Sequence, residues 1–283
     1  MVKKIIIVNK KELEKKKKEI IKEGNKEIHI LSDFDRTITY GLDKTGKRTG
    51  TVISQLRSDP KYLGETYQKK AEELFAIYHP IEIDLNISRE EKLQKMQEWW
   101  EKHFKLIIEA GFTKGLIKKV IDEKPIRFRK GTRDFLDYLD KRDIPILFLS
   151  AAPGDMLLEY LEKDNLLLSN IDVLSNLYEW NNNGRALRIK EPIITSVNKG
   201  EISLEKSRHY QELKKRRNII LLGDELEDSF MAKGVNYKTI IKIAFLNEKV
   251  EENLQKFKEE YDIILTGDQD FSYVNKLIKQ IVK

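Results

Sequence analysis

The sequence predicts an α/β fold: a mainly parallel sheet with helices on both faces, interrupted after the first predicted strand by a helical insertion. Three observations predict it. Short apolar runs (Ile28–Leu31, Ile144–Leu149, Asn218–Leu222, Thr239–Phe245) recur between segments of helical periodicity, and strands separated by helices imply parallel pairing. From Gly41 to about Pro125 no long β-branched run occurs and helical spacing dominates. Three of the runs stop on residues suited to phosphate and metal: Asp33-Phe-Asp35-Arg-Thr37, Ser150, and Gly223-Asp224 with Asp228 four residues on.

In chain order, Met1–Val8 has too short an apolar core for a signal peptide, and no run reaches membrane-spanning length. Residues 9 to 24 read as a charged helix stopped by Gly24, with Lys15–Lys18 on a solvated face. Ile28–Leu31 is the first predicted strand. The insertion carries helical patterns at Lys61–Ile77, Ser88 to about Glu109, and Lys114–Asp122. Ser88 and Glu91 form a capping-box pattern for the second of these. Its apolar stripe is Leu93, Met96, Trp100, Phe104 and Ile107, with Trp99, His103 and Leu106 on the flank. We read 41–125 as a cap domain and 1–40 with 126–283 as the core. In the core, a helix over Gly131–Arg142 leads to the strand Ile144–Leu149, which ends on Ser150. A helix over Asp155–Lys163, a strand over Ile171–Leu174 and a hairpin about Trp180–Gly184 follow. A helix over Gly200–Arg216 then precedes the strands Asn218–Leu222, Thr239–Phe245 and Tyr261–Leu265.

At 283 residues the chain can bury a large core in one big domain or two smaller ones. Its +6 formal charge is the difference between 53 basic and 47 acidic residues, interspersed along the chain. That pattern is a solvated surface, without the basic stripe of a nucleic-acid binder. The absence of cysteine excludes disulfides and thiolate metal sites and is compatible with a reducing compartment. The expectation is a soluble cytoplasmic protein with neither nucleic-acid nor membrane partners.

Asp33 and Asp35 share one face at a strand exit. Two carboxylates so close repel each other unless a cation or a shared proton compensates, so the pair suggests a metal site for phosphate chemistry. The same stretch also reads as a strand closed by a polar turn. Ligands of open α/β sheets bind beyond the carboxyl ends of the strands, where Ser150, Asp224 and Asp228 also fall. Asp228 alone would equally suit a helix N-terminus. Carboxylate oxygens without Cys or clustered His point to Mg²⁺ rather than zinc.

Asp33-Phe-Asp-Arg-Thr37, Ser150, Lys199 and Gly223-Asp-x-x-x-Asp228 resemble the four motifs of the haloacid dehalogenase-like phosphatases. Phe148–Asp155, Val197–Gly200, Ile219–Ala232, Ala244–Asn247, Tyr261–Leu265 and Ile81–Asp84 resemble the pyrimidine 5′-nucleotidase family, also called type III cytosolic 5′-nucleotidases. The resemblance covers nearly the whole chain after residue 26. It implies a Rossmann-like core with the cap inserted after the first strand. It further implies Asp33 as nucleophile, Asp35 as general acid and base, and Thr37, Ser150, Ala151 and Lys199 as phosphate ligands. Mg²⁺ would be held by Asp33, Asp35 (through its carbonyl), Asp224 and Asp228. Glu82 matches the family's base-recognising glutamate. Trp99, off the stripe, could stack on a base, and His103, one helical turn on, could offer a second polar contact, although it stands where the family has a small hydroxylated residue. Arg36, where the family carries an apolar residue, Ala152-Pro153 after Ser150, and Gly200 after Lys199 depart from the pattern.

The implied function is Mg²⁺-dependent hydrolysis of nucleoside 5′-monophosphates, pyrimidine preferred, by a monomer or weak homo-oligomer. A phosphatase for another small ester, such as a sugar phosphate, and a non-catalytic binding protein of the same fold are the alternatives.

Overall fold

The computed structural model describes residues 3–84, 86–124, 126–201, 207 and 210–283. Among them a seven-stranded sheet runs in the order β1-β9-β8-β7-β2-β3-β4. Its strands are β1 (Lys4–Ile7), β2 (Ile28–Ser32), β3 (Ile146–Pro153), β4 (Ile171–Asn176), β7 (Asn218–Gly223), β8 (Thr239–Leu246) and β9 (Ile263–Thr266). All pair in parallel except β1, which lies antiparallel on β9 at one edge. This edge strand is absent from the sequence reading, because Lys4–Ile7 is short and only half-buried. The hairpin β5 (Tyr178–Trp180) and β6 (Ala186–Ile189) stands apart as a two-stranded ribbon.

The central strands are buried on both faces, which is why they read as almost continuous apolar runs, with buried His29 the one polar residue inside that of β2. Alternation still divides them. Leu31, Leu147, Leu149, Ile219 and Leu221 enter one core, and Ile30, Ile146, Phe148, Ile220 and Leu222 the other. The first core is covered by α9 (Tyr210–Leu213) and α10 (Val250–Glu260), through Leu213 and Phe257. The second is covered by α1 (Lys10–Glu23), α7 (Thr132–Asp140), α8 (Gly154–Lys163) and α11 (Ser272–Ile281). Asn9 and Gly24 bound α1 as expected: the Asn9 side chain accepts from Glu12 N, and Gly24 adopts φ 86°. Of the predicted Gly200–Arg216 helix, the described residues form a 3₁₀ turn at Lys199–Glu201 and the helix α9, while 202–206, 208 and 209 lie outside them, Lys206, the fallback for Lys199, included.

Between β2 and β3 the chain forms α2 (Ser54–Arg57), α3 (Pro60–Leu63), α4 (Glu65–Ile83), α5 (Arg89–Glu109) and α6 (Lys114–Glu123). Two expectations change here. The helix expected over Lys61–Ile77 breaks at Gly64 (φ 86°), and its main part continues through Pro80 to Ile83. A proline removes one ladder N–H, yet the helix closes beyond it, with Asp84 N donating to Pro80 O at 3.1 Å. Glu82 therefore sits on the last turn of α4. Ser88 caps α5, its hydroxyl accepting from Glu91 N at 3.2 Å. The hairpin joins the insertion's aromatic core: Tyr178 meets Phe104 edge-on at 5.9 Å and Phe112 at 4.9 Å. No helix among the described residues is long and apolar enough to cross a membrane.

Candidate active site

β2 lies between β7 and β3, so its carboxyl end opens on the middle of the sheet. Asp33 leaves β2 while its N–H still donates to Leu222 O at 3.0 Å. On β7, Gly223 allows the following turn to fold back: a Cβ there would meet Asp228 Cβ at 2.4 Å. Asp228 then accepts the backbone N–H of Asp224 and of Glu225, each at 3.0 Å. The expected turn cap and the expected site residue are thus one side chain. On β3 the strand does not end at Ser150 but runs to Pro153, with irregular pairing to β4 between Leu149 and Pro153. Such bulges re-aim side chains at a strand end, and here Ser150, Ala151 and Ala152 face the site.

Lys199 ties the strands together, its Nζ donating to Asp33 Oδ1 at 2.5 Å and Asp228 Oδ1 at 2.7 Å. Thr37 Oγ1 donates to Asp33 Oδ2 at 3.0 Å, and Asp35 accepts from Val52 N at 3.0 Å. Arg36, at φ 60°, points its guanidinium at Asp224 (3.7 Å) and Glu225 (3.4 Å). A non-glycine residue in that region is strained, and two neighbours hold it: Arg129 Nη2 and Asn247 Nδ2 both donate to Arg36 O, at 2.5 and 3.0 Å.

Burial sets the electrostatics. It raises the Asp33 carboxyl to about 6 against the pull of Lys199. It raises Asp35 to about 7, with the Asp33 charge adding to the effect. Asp224 is driven well above its ordinary value, chiefly by burial and despite Arg36. Burial depresses the Lys199 ammonium, but Asp228 and Asp33 outweigh it and hold it above its ordinary range. Five carboxylates (Asp33, Asp35, Asp224, Glu225, Asp228) meet two cations (Arg36, Lys199), a formal surplus of three negative charges. One oxygen each of Asp33, Asp224 and Asp228 lie within 4.8 Å of one another. This donor set fits a hard divalent cation such as Mg²⁺.

A cavity of about 260 Å³ joins this cluster to the insertion. Asp33, Asp35, Ser150, Ala151, Lys199, Asp224 and Asp228 line its floor, and Glu82, Trp99 and His103 line its wall. Of the residues singled out from sequence, only Thr37 lies off the lining, fully buried behind Asp33.

A family profile for pyrimidine 5′-nucleotidases (UMPH-1) matches residues 36–282. The chain belongs to this family. It is therefore a phosphoric monoester hydrolase of the 5′-nucleotidase type, on a haloacid dehalogenase-like fold. It is 34% identical to the 7-methylguanosine phosphate-specific 5′-nucleotidase of Gallus gallus, over 93% of this chain and 91% of that one. Cytosolic 5′-nucleotidase IIIB bound to cytidine matches its structure with a TM-score of 0.88, 28% identity, and coverage of 98% and 93%. A substrate-bound phosphoserine phosphatase, at a TM-score of 0.54 and 18% identity, shares the Rossmann-like fold alone.

Within this 5′-nucleotidase the insertion bears directly on the loops that carry the carboxylate cluster and Lys199. Glu82 accepts from Ser196 Oγ at 2.6 Å and pairs with His79 Nδ1 at 2.9 Å. Burial alone would raise its carboxyl, but these two bonds lower it, so Glu82 stays ionised. Arg89 donates to Val197 O at 2.8 Å, two residues before Lys199. His103 is buried, pulled down to about 3 by burial and by the charge of Arg57, and is therefore neutral; its Nε2 bonds Tyr67 OH at 3.1 Å. Trp99 stacks on Tyr78, and Trp100, expected in the core, also reaches the cavity.

Sequence reasoning missed residues 48–51, Ile53, Ser54, Arg57, Phe75, His79 and Ser196, all on the cavity lining. It also missed Arg129 behind the floor. Arg129 Nε donates to Thr37 O at 2.8 Å, Nη1 to Asp268 Oδ1 at 2.9 Å, and Nη2 to Asn247 Oδ1 at 2.7 Å. The one available signal was Asn247, within a family-like stretch.

Proposed function

We propose that this enzyme is a Mg²⁺-dependent, cytoplasmic 5′-nucleotidase that hydrolyses nucleoside 5′-monophosphates through an aspartyl-phosphate, with a preference for pyrimidines. One observation carries the reading: a single cavity runs from the Asp33–Lys199–Asp228 cluster to an aromatic wall on the insertion. The floor suits a phosphoryl group and the wall a flat base, so we read residues 41–125 as the substrate-selecting cap.

Asp33 attacks phosphorus with one carboxylate oxygen, and the nucleoside oxygen departs. Asp35, raised to about 7 by burial, is poised between its two forms at neutral pH, and its protonated form gives the proton to that oxygen. The same carboxylate then takes a proton from the water that hydrolyses the acyl phosphate. Val52 N fixes the Asp35 carboxylate for both transfers. Lys199 and Ser150 donate to the phosphoryl oxygens as charge builds on them. Asp33, Asp224, Asp228 and the carbonyl of Asp35 would hold Mg²⁺, which when bound neutralises charge between these acids and the phosphoryl group.

A second reading is a 7-methylguanosine monophosphate substrate. Relatives 33–35% identical carry that specificity in their names, and Trp99, Trp100 and ionised Glu82 suit a cationic base. The test is phosphate release from CMP, UMP, GMP, AMP, N7-methyl-GMP and sugar phosphates, with and without Mg²⁺. The reading expects nucleotides to dominate in the presence of Mg²⁺. Preference for a sugar phosphate, or no release at all, would overturn it.

A further inference from the structure

The groups at the cavity floor contact only the phosphoryl end, so the base is chosen at the wall. Arg36, Arg48, Arg57 and Lys199 are the arginines and lysines on the lining. Three are already paired: Arg36 with Asp224 and Glu225, Arg48 with Glu248 at 2.9 Å, and Lys199 with Asp33 and Asp228. Arg57, the last residue of α2, differs. Among the described residues no carboxylate pairs with its guanidinium and no acceptor takes a hydrogen bond from it. Glu72 and Glu82 feel its charge but do not bond it.

The Arg57 guanidinium carbon lies 4.0 Å from the centroid of the Phe75 ring, which itself stacks on His79 at 4.5 Å and 16°. This contact positions the guanidinium beside the cavity, and among the described residues none of its five N–H donors has a hydrogen-bond partner. The indole Nε1 atoms of Trp99 and Trp100, on the same lining, are buried without an acceptor among the described residues. Glu82, the wall's carboxylate, already accepts from Ser196 and His79. The two indole N–H groups are therefore buried donors without acceptors, a costly state until a ligand supplies them, and the half-buried Arg57 fork adds further donors to the same wall.

We infer that Arg57 reads the base, selecting a neutral base that offers carbonyl oxygens and disfavouring one with a fixed positive charge. This rests on the nucleotidase reading above and decides between its two substrates. A pyrimidine carbonyl or the O6 edge of guanine suits the guanidinium fork. Methylation of a purine at N7 removes an acceptor and fixes a cation in the cavity that holds Arg57.

The test measures kcat/KM of wild type and of Arg57→Gln and Arg57→Lys on CMP, UMP, GMP, N7-methyl-GMP and p-nitrophenyl phosphate, with thermal melts of each protein. Wild type should favour GMP over N7-methyl-GMP. In Arg57→Gln the CMP to p-nitrophenyl phosphate ratio should fall about 10- to 100-fold, the range for losing a hydrogen bond to a charged group. The preference for GMP over N7-methyl-GMP should shrink or invert. Arg57→Lys keeps the charge and should retain that preference, which tests the inference even if the Gln variant melts early. The inference is overturned if wild type prefers N7-methyl-GMP, or if every substrate changes in step, or if none changes. Turnover of p-nitrophenyl phosphate without any nucleotide would instead overturn the nucleotidase reading itself.

Discussion

Arg129 offers a test of how the catalytic loop is held. Its side chain is fully buried and binds Asp268, Asn247 and the carbonyls of Arg36, Thr37 and Gln269. Burial lowers its pKa to about 10, so it remains charged at neutral pH. In Arg129→Met, Asp268 loses its cation while only 8% exposed. Removing one partner of a buried ion pair costs about 3–5 kcal/mol. Asp268 still accepts from Gly41 N at 2.8 Å and Leu42 N at 3.1 Å, which argues for the lower end of that range. Arg36 O keeps its bond from Asn247, but Thr37 O loses its Arg129 donor, adding about 1 kcal/mol or more. A total of about 4 kcal/mol is a large share of the 5–15 kcal/mol typical of a folded protein. Urea unfolding of wild type, Arg129→Met, Asp268→Asn and the double variant measures it. The double variant should be more stable than the two single losses predict, because the uncompensated charge is gone. With the loop carrying Asp33 and Asp35 loosened, kcat should fall by about 10²-fold, the scale of a 1 Å misplacement. A loss below about 1 kcal/mol, or strict additivity, would refute the tether.

Three further outcomes are expected. Asp35→Asn should lower kcat by about 10²–10⁴-fold with KM little changed; a few-fold loss would remove Asp35 from proton transfer. Mg²⁺ should raise the melting temperature of wild type, by the equivalent of about 2.7 kcal/mol at a hundred times its dissociation constant. Asp224→Asn should abolish most of that rise, and full activity of chelator-treated enzyme would contradict the metal assignment. Finally, burial lowers His29 from 6.5 to about 4, with Nδ1 against Arg216 O at 2.9 Å. As pH falls below 6.5 the unfolded chain binds a proton that the folded one refuses. His29 thus contributes stability above pH 6.5 that is lost progressively towards pH 4, about 3 kcal/mol at 1.36 kcal/mol per unit. His29→Gln should flatten the stability–pH curve in that window, and parallel curves would refute the assignment.

The sheet was legible because β2, β3, β7 and β8 are buried on both faces and so appear as largely apolar runs, interrupted by His29 in β2 and Lys242 in β8, ending on polar residues. Ser150, Asp224 and Asp228 were found by the same rule. Strand β1 escaped because its pattern is half-exposed and its partner β9 lies at the far end of the chain. The helix α4 was truncated in the sequence reading because Pro80 is a breaker by local rules, while the bond from Asp84 N that carries the helix past it is invisible there. Arg57 and Arg129 left no periodic signal. Each acts through partners distant in sequence (Phe75 for Arg57; Asp268 and Asn247 for Arg129) that only the fold brings near. Thr37 was matched by motif, but its hydroxyl bonds Asp33 rather than facing the cavity.

The central claim is that Asp33 becomes phosphorylated during turnover. The most direct measurement is borohydride trapping: enzyme turning over CMP with Mg²⁺ is quenched, reduced and digested, and residue 33 is read by mass spectrometry. An acyl phosphate at Asp33 is reduced to homoserine, so the account predicts homoserine at position 33, dependent on CMP and absent at Asp35. An unmodified Asp33 in enzyme quenched during steady turnover, or homoserine at another aspartate, would contradict it.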